Sequence, residues 1–250
     1  MAPTVRRRRT QRLLNGLRKV AAGLRPFNES VWPGVRNDLF VAHESIYAFA
    51  APLARGGDVL DAGCGTGYGS HGLALAGARS VLGVDVDRLS VAFARRRYRH
   101  PRLSFEVADC ERLALQPSSL DLLFSSNVLE HLEEPEAFLG AAFTALRPGG
   151  RALLAVPPIT TREALEDNQA IHYHRSNLFL SDWHARLSRL PWSLRLLAHR
   201  PGEGSPPPDF GSPFPSTLGP SDFTFEPCTL DEAHARVPLT AVFLAERRAA

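Results

Sequence analysis

Hydrophobic positions follow two alternating periods from residue 58 onward. Short apolar runs are separated by stretches in which apolar residues recur every three or four positions. The first pattern is typical of strands and the second of amphipathic helices. The predicted strands are DVLDA (58–62), SVLGVD (80–85), LSFEVAD (103–109), LDLLFSS (120–126), RALLAVP (151–157), SLRLLAH (193–199) and LTAVFLAE (239–246). The predicted helices span 41–54, 67–77, 88–99, 135–146 and, with Ser181 as its N-cap, 182–190.

Strands that alternate with helices in this way predict an α/β fold with a doubly wound, mostly parallel sheet. The nearly continuous apolar runs of the fourth and fifth strands fit positions that are buried on both faces of such a sheet. The pattern loosens beyond Pro158, and residues 201–220 contain seven prolines and four glycines. This stretch predicts a long loop or lid without regular secondary structure.

The length and composition predict one domain at 28–250, preceded by a basic arm at 1–27 that is partly helical. The chain has 250 residues, of which 44% are hydrophobic, enough for the core of one α/β domain. Eight of the 29 basic residues lie within the first 25 positions, where there is no acidic residue. The rest of the chain is therefore acidic on balance, which argues against a nucleic-acid partner for the domain. The arm alone is a candidate contact for a membrane surface or a polyanion.

Two further features concern the compartment. The chain has no run of 18 apolar residues and no apolar signal segment near its start, so we expect a soluble, cytoplasmic protein. Its three cysteines, Cys64, Cys110 and Cys228, fit neither a disulfide framework nor a CxxC metal site, and we expect them to be reduced.

The stretch DVLDAGCGTGYGS (58–70) raises the question of a cofactor. The residues from Gly67 to Gly72 match G-x-G-x-x-G, which would favour a dinucleotide such as NAD. That pattern begins four residues after Gly63, where the helix is already predicted to be under way. The segment Asp61-Ala-Gly63-Cys-Gly65-Thr-Gly67 is better placed, because its acid lies inside the strand end and its glycines follow directly.

This segment resembles the first motif of the class I S-adenosylmethionine-dependent methyltransferases. The stretch SSNVLEHLEEPEAFLGAAFTALRPGGRALLAVP (125–157) is similar to the fourth-strand and fifth-strand region of the type 11 subfamily. The resemblance implies a Rossmann-like methyltransferase fold with seven strands, of which the last is antiparallel, and S-adenosylmethionine as the cofactor. That cofactor has an amino group, a ribose diol and an adenine, and these call for acids.

The resemblance implies a set of cofactor contacts. Asp61 would face the amino group, Asp85 would accept the ribose hydroxyls, and Asp109 would accept from the adenine amine. The complete expected set is Asp61, Gly63, Cys64, Gly65, Gly67, Asp85, Val86, Asp109, Cys110, Ser126 and Asn127.

A hydroxyl acceptor would benefit from a general base, for which histidine is the usual residue. The candidates are His174, His172, His131 and, in AHES, His43. His172 and His174 would point to the same side if their segment were extended, and one of them is favoured as the base. Each histidine could instead only shape a lid or support the site.

Possible metal ligands and aromatic residues are two further features of the sequence. Glu166, Asp167, His172 and His174 could supply ligands, but their spacing matches no defined motif, so no metal site is predicted. Aromatic residues in and around the Pro-rich stretch could stack on an acceptor or pin the loop to the domain. They are Phe210, Phe214, Phe223, Phe225, Trp183 and Trp192.

These features favour methyl transfer from S-adenosylmethionine to a hydroxyl of a small molecule such as a sugar or a secondary metabolite. The alternatives are an NAD-dependent oxidoreductase, a non-catalytic protein that binds S-adenosylmethionine, and an RNA methyltransferase that docks through its basic arm.

Overall fold

The computed structural model describes residue 31 and residues 34–248. The predicted arm at 1–27 lies outside the described residues. The first described helix, α1 (Asp38–Ala54), begins three residues before its predicted start. Asn37 is its N-cap, and the Asn37 side chain accepts a hydrogen bond from the Phe40 amide at 3.0 Å. This bond satisfies an amide that has no partner within the first turn of a helix.

Strands and helices alternate through the first part of the domain, as the sequence predicts. The elements in order are β1 (Asp58–Ala62), α2 (Tyr68–Leu75), β2 (Ser80–Asp85), α3 (Arg88–Arg97), β3 (Leu103–Val107), β4 (Leu120–Ser126), α4 (Pro135–Ala145) and β5 (Leu146–Val156). The helix α3 shows why the local sequence folds in this way. Asp87 caps its first turn, and three arginines occupy its last turn, where cations are favoured by the helix dipole.

The second part of the described chain contains one predicted helix and two predicted strands, together with two helices and a strand that the sequence pattern did not reveal. Its elements are α5 (Arg162–Gln169), α6 (Leu180–Leu187), β6 (Trp192–Pro201), β7 (Phe223–Pro227), α7 (Leu230–Ala235) and β8 (Thr240–Arg247). The predicted N-cap Ser181 is wrong, because α6 begins earlier and Phe179 is its N-cap. The Asp182 carboxylate accepts from the Phe179 amide at 3.1 Å, which favours this earlier start. Residues 202–219 contain no helix or strand.

The strands form one sheet in the order β3-β2-β1-β4-β5-β8-β6-β7. The pairs among β1 to β5 are parallel, and β8 runs antiparallel to β5, so the Rossmann-like fold and the antiparallel last strand are confirmed. The predicted number of seven strands is wrong, because β7 pairs with β6 in an antiparallel hairpin and makes an eighth. Phe223 and Phe225 therefore belong to a strand and not to the Pro-rich loop.

The core lies on both faces of the sheet. Successive strand residues point to opposite faces, so Leu60 and Leu123 pack in one apolar cluster while Val59 and Leu122 pack in another. The strand order reverses between β1 and β4, and in open α/β sheets ligands bind beyond the carboxyl ends of the strands at this place. Among the described residues, no helix is both long and apolar enough to span a bilayer.

Candidate functional site

The turn that follows β1 depends on its glycines. Gly63, Gly65 and Gly67 have φ angles of 79°, 51° and 82°, which favour residues without a Cβ. A Cβ on Gly63 would lie 2.1 Å from a methyl group of Val128, and one on Gly67 would lie 2.6 Å from the Cβ of Ala94. The amide of Gly63 donates to the Val84 carbonyl at 2.8 Å, which fixes the turn to the neighbouring strand.

A cavity of about 1290 Å³ opens beside this turn, at the carboxyl ends of the strands. Pockets for a single small ligand commonly measure about 300–1,000 Å³, so this cavity is larger than the usual pocket for one small ligand. Most of the residues predicted to contact the cofactor line the cavity. They are Gly63, Cys64, Gly65, Asp85, Val86, Asp109, Cys110, Ser126 and Asn127.

Asp85 lies where β2 ends and stabilises the glycine turn. Its carboxylate accepts from the amide of Gly65 at 2.7 Å and from the amide of Asp87 at 2.8 Å. Burial raises the pKa of Asp85, and these two amide donors act in the opposite direction. Each carboxylate oxygen has a further lone pair that can accept from a ligand hydroxyl.

Two predicted cofactor residues do not line the cavity. The carboxylate of Asp61 is fully buried and accepts from Ser70 Oγ at 2.5 Å and from the Tyr47 hydroxyl at 3.2 Å. Burial raises the pKa of Asp61 to about 7, against the effect of both donors. Asp61 therefore connects β1 to α1 and α2 through these bonds, while Gly67 packs against α3 and β3.

The G-x-G-x-x-G pattern from Gly67 to Gly72 lies mainly within a helix. The helix α2 begins at Tyr68, and a Cβ on Gly69 would lie 2.1 Å from the ring of Tyr47. A dinucleotide motif places its glycines before and at the start of the helix, where amides face the pyrophosphate. Gly69 instead provides room for a packed aromatic ring, so this part of the pattern has a structural explanation.

The lining of the same cavity also includes two of the three predicted catalytic histidines. His131 ends a short 3₁₀ helix (Leu129–His131) after β4, and His174 follows α5; both line the cavity. His172 is exposed and does not line it. The extended segment expected here is wrong, because the amide of His174 donates to the Ile171 carbonyl at 2.9 Å and closes a turn. His172 and His174 consequently face different surroundings.

Asn168 holds the ring of His174 in a defined orientation. Its Oδ1 lies 2.7 Å from His174 Nδ1, and its Nδ2 donates to Asn177 Oδ1 at 2.7 Å. Asn177 in turn donates to the His174 carbonyl at 2.9 Å. Because the Asn168 oxygen can only accept, His174 carries its proton on Nδ1 and presents a lone pair at Nε2. Burial lowers the pKa of His174 to about 4 and also lowers that of His131.

A third group, Glu130, lies beside these two histidines. Glu130, His131 and His174 each place one candidate metal-ligating atom within 4.8 Å of the others, and Glu130 is buried. The sequence did not suggest this group, because its members come from two separate segments. The carboxylates considered from the sequence, Glu166 and Asp167, are exposed on α5.

Residues of α1 form another part of the cavity wall. His43 lines it, with Nε2 3.5 Å from Asn127 Nδ2, and burial lowers the pKa of His43 to about 4. Asn127 follows β4 with a φ of 53°, an uncommon conformation for a residue with a side chain. Asn127, the first residue after β4, lines the cavity in this conformation.

The predicted aromatic residues divide between cavity, core and surface. Phe210 lines the cavity, whereas Phe214 is 72% exposed. Trp183 and Trp192 are buried in the core, and Phe225 stacks on Phe49 with ring centroids 4.4 Å apart. Only Phe210 of this set is thus placed to contact a ligand in the cavity.

Comparisons with known proteins agree with this geometry. Residues 60–154 match the family model described as a methyltransferase domain. A Mycolicibacterium smegmatis protein named "Probable S-adenosylmethionine-dependent methyltransferase" is 36% identical over 152 residues, which cover 60% of this chain and 58% of that protein. Phosphoethanolamine N-methyltransferase 1 of Triticum aestivum is 34% identical over 105 residues, 41% of this chain and 21% of that protein.

The fold is also shared with solved structures. The S-adenosylmethionine-dependent methyltransferase from Mesorhizobium loti superimposes with a TM-score of 0.59 over 84% of this chain and 100% of that chain, at 19% identity. The chain matches little more than half the length of the Mycolicibacterium relative. Together, the matched segment, the sheet order and the glycine turn show that residues 60–154 belong to the type 11 methyltransferase domain family, in the class I S-adenosylmethionine-dependent group.

Proposed function

We propose that this chain transfers a methyl group from S-adenosylmethionine to a hydroxyl oxygen of a neutral small molecule. The supporting observation is the cavity, which joins a glycine turn flanked by Asp85 and Asp109 to a second region containing His131 and His174. The first region suits the donor and the second suits an acceptor. Of the histidines predicted as bases, His174 and His131 line the region proposed for the acceptor. His172 is exposed and does not line the cavity, so it can serve as a control residue.

The residues at the donor end fit S-adenosylmethionine. Gly63 and Gly65 keep the backbone accessible, and the carboxylates of Asp85 and Asp109 can accept from the ribose hydroxyls and the adenine amine. When bound, this cofactor would supply a methyl group on a sulfonium. The acceptor oxygen would take the methyl group, sulfur would keep the electron pair of the C–S bond, and the hydroxyl proton would pass to a nearby base such as His174 or to water. The protein has to position the acceptor and exclude water.

The charges around the cavity favour a neutral acceptor. Among the described lining residues, Arg88 is the single arginine or lysine, and it begins α3 next to the acids of the donor end. The acceptor end combines His131, His174, Asn168 and the carboxyl group of Glu130 with apolar walls that include Ile171 and Phe210, and it contains no cationic side chain among the described lining residues. A phosphorylated or carboxylated acceptor would call for a guanidinium or ammonium partner there. A hydroxyl compound such as a sugar or a secondary metabolite suits this lining.

The first experiment measures cofactor binding. The chain is titrated by calorimetry with S-adenosylhomocysteine and, separately, with NAD. We expect S-adenosylhomocysteine to bind and NAD to give no heat, because α2 has begun before most of the dinucleotide pattern. Binding of NAD without a response to S-adenosylhomocysteine would overturn the proposal and favour an oxidoreductase.

The second experiment identifies the acceptor. A metabolite extract of the host is incubated with S-adenosylmethionine and the chain, and mass spectrometry follows compounds that gain one methyl group. Fragmentation of the product distinguishes an O-methyl from an N-methyl group. Cofactor binding without any methylated product would favour a non-catalytic protein. Methylated RNA that is lost on deletion of residues 1–27 would favour an RNA methyltransferase.

We also propose that the protein is located in the cytoplasm.

A further inference from the structure

Two loops bring a carboxylate and two imidazoles together at the acceptor end. Glu130 and His131 belong to the 3₁₀ helix after β4, and His174 lies in the turn after α5. Their candidate ligand atoms all lie within 4.8 Å of one another. Ligand atoms around an ion at about 2.0–2.2 Å are roughly 3–4 Å apart, so small side-chain rotations would close this group around an ion.

Both imidazoles are oriented by oxygen atoms that can only accept. His131 Nδ1 lies 3.3 Å from the Tyr173 carbonyl oxygen, and His174 Nδ1 lies 2.7 Å from Asn168 Oδ1. The His131 ring also makes a hydrogen bond with the backbone of Asn127, which a metal ion at its second nitrogen would have to replace. Histidines that bind metal ions commonly donate their other ring N–H to a carbonyl or carboxylate in this manner. Because Asn177 holds the Asn168 amide in place, the orientation of the His174 ring does not depend on a ligand.

We propose that Glu130, His131 and His174 bind one divalent transition-metal ion, which holds the acceptor hydroxyl during the proposed methyl transfer. Two imidazoles and one carboxylate favour an ion such as Zn²⁺ over Mg²⁺, which prefers oxygen ligands. The three residues line the cavity, so coordination positions on the cavity side remain for the acceptor oxygen. A bound divalent ion would lower the pKa of a hydroxyl that it coordinates, so that the hydroxyl proton can pass to water. In this arrangement His131 and His174 act as ligands and not as the general base.

This inference rests on the proposed function for the role of the ion, but the binding of the ion can be tested alone. The full chain is freed of metal with EDTA, returned to chelator-free buffer and titrated with Zn²⁺ and with Mg²⁺ by calorimetry. We expect one Zn²⁺ to bind far more tightly than Mg²⁺. His174→Ala should weaken this site by about a hundredfold, since loss of even an outer partner commonly costs about 10–100-fold.

Matched variants separate the site from other histidines and from misfolding. His172→Ala removes an exposed histidine two positions away and should leave Zn²⁺ affinity unchanged. Glu130→Gln keeps the shape of a buried side chain and should weaken Zn²⁺ as His174→Ala does. Binding of S-adenosylhomocysteine by each variant reports whether the fold is intact. A variant that does not bind it is replaced by Asn168→Leu. This substitution should weaken Zn²⁺ binding by about 10–100-fold.

The outcomes distinguish this inference from the proposed function. Absence of Zn²⁺ binding by the unaltered chain, or equal Zn²⁺ affinity in His174→Ala, overturns the metal site even if S-adenosylhomocysteine binds. Zn²⁺ binding that depends on His174, in a chain that does not bind S-adenosylhomocysteine, supports the metal site and overturns the methyl donor. Methylation that EDTA abolishes and Zn²⁺ restores would support both.

Discussion

The hydroxyl of Tyr47 donates to both carboxylate oxygens of Asp61, at 3.2 and 3.3 Å, and so connects α1 to the strand that leads into the glycine turn. The Tyr47 ring stacks on Phe124 at a centroid distance of 4.2 Å and fills the space beside Gly69. A single aromatic side chain of α1 therefore hydrogen-bonds to a buried acid and packs against α2.

The burial of Asp61 predicts a pH-dependent stability. The pKa of Asp61 is about 7 in the folded chain, above its ordinary value of 3.8, because burial disfavours the carboxylate. The folded state therefore binds this proton more tightly than the unfolded state, and the contribution to stability falls as pH rises from about 4 through about 7. Asp61→Asn should remove this slope in the free energy of unfolding, measured in urea between pH 5 and pH 8. An unchanged slope would contradict the assignment.

A companion variant tests the donor itself. Tyr47→Phe removes the hydroxyl while it keeps the stacked ring, so Asp61 loses one of its two side-chain donors. We expect a loss of about 1–3 kcal/mol in the free energy of unfolding at pH 8, the usual cost of a buried acceptor that loses its donor. At pH 5 Asp61 is protonated, because its pKa is about 7, and a neutral acid depends less on a hydrogen-bond donor than a carboxylate does. The loss should therefore be smaller at pH 5 than at pH 8.

The glycine turn predicts a strong difference between two Gly→Ala substitutions. Gly63→Ala places a Cβ at a φ of 79° and 2.1 Å from Val128, so we expect lower thermal stability and loss of S-adenosylhomocysteine binding. Gly72 lies within α2, and a Cβ there would meet nothing within 4 Å. Gly72→Ala should stabilise the chain by about 0.5–1 kcal/mol and leave binding unchanged. Equal melting temperatures for the two variants would refute this explanation.

The position of Asp85 predicts its contribution to cofactor affinity. Asp85→Ala removes a charged acceptor at the donor end and two bonds to the backbone of the turn, so S-adenosylhomocysteine should bind at least about tenfold more weakly. Asp121→Asn is a suitable control, because Asp121 lies near the start of β4 and pairs with Arg79 and Arg147. Calorimetry should show an unchanged dissociation constant for Asp121→Asn. An unchanged value for Asp85→Ala would remove Asp85 from the cofactor site.

The positions of Phe210 and Phe214 predict that only Phe210 contributes to binding of the acceptor. Phe210 lines the cavity, while Phe214 lies four residues later and is 72% exposed. Once an acceptor is known, Phe210→Ala should raise the KM for the acceptor about tenfold and leave the KM for S-adenosylmethionine unchanged. Phe214→Ala should change neither constant. Steady-state kinetics with each substrate varied in turn would check both expectations.

Much of the sheet could be predicted because buried strands of a doubly wound fold leave a direct mark on the sequence. The run LDLLFSS, for example, contains Leu122, Leu123 and Phe124, all fully buried in β4. The strand FTFEP was missed because it is short and follows a Pro-rich stretch. Its pairing with β6 is a tertiary property that local periodicity does not express.

The candidate site was predictable where a motif carries it and not where side chains meet across the fold. Asp85 and Asp109 follow strands, so their place at the cavity could be inferred from the order of elements. The sequence could not show that Tyr47 seals Asp61 away from the cavity, since the two residues belong to different elements. The group formed by Glu130 and His174 likewise depends on how two loops pack.

The Pro-rich connection has a consequence for how this protein can change over evolution. Its ends are held in register, because Pro201 pairs with Phe223 at the end of the β6–β7 ladder. Its middle lies along the start of α1, where Asn37 donates to the Ser212 carbonyl and Asp38 accepts from the Asp209 amide. Both segments fall outside residues 60–154, which carry the family match. Exchange of this connection between related chains would therefore change residues around the proposed acceptor region and leave residues 60–154 unchanged.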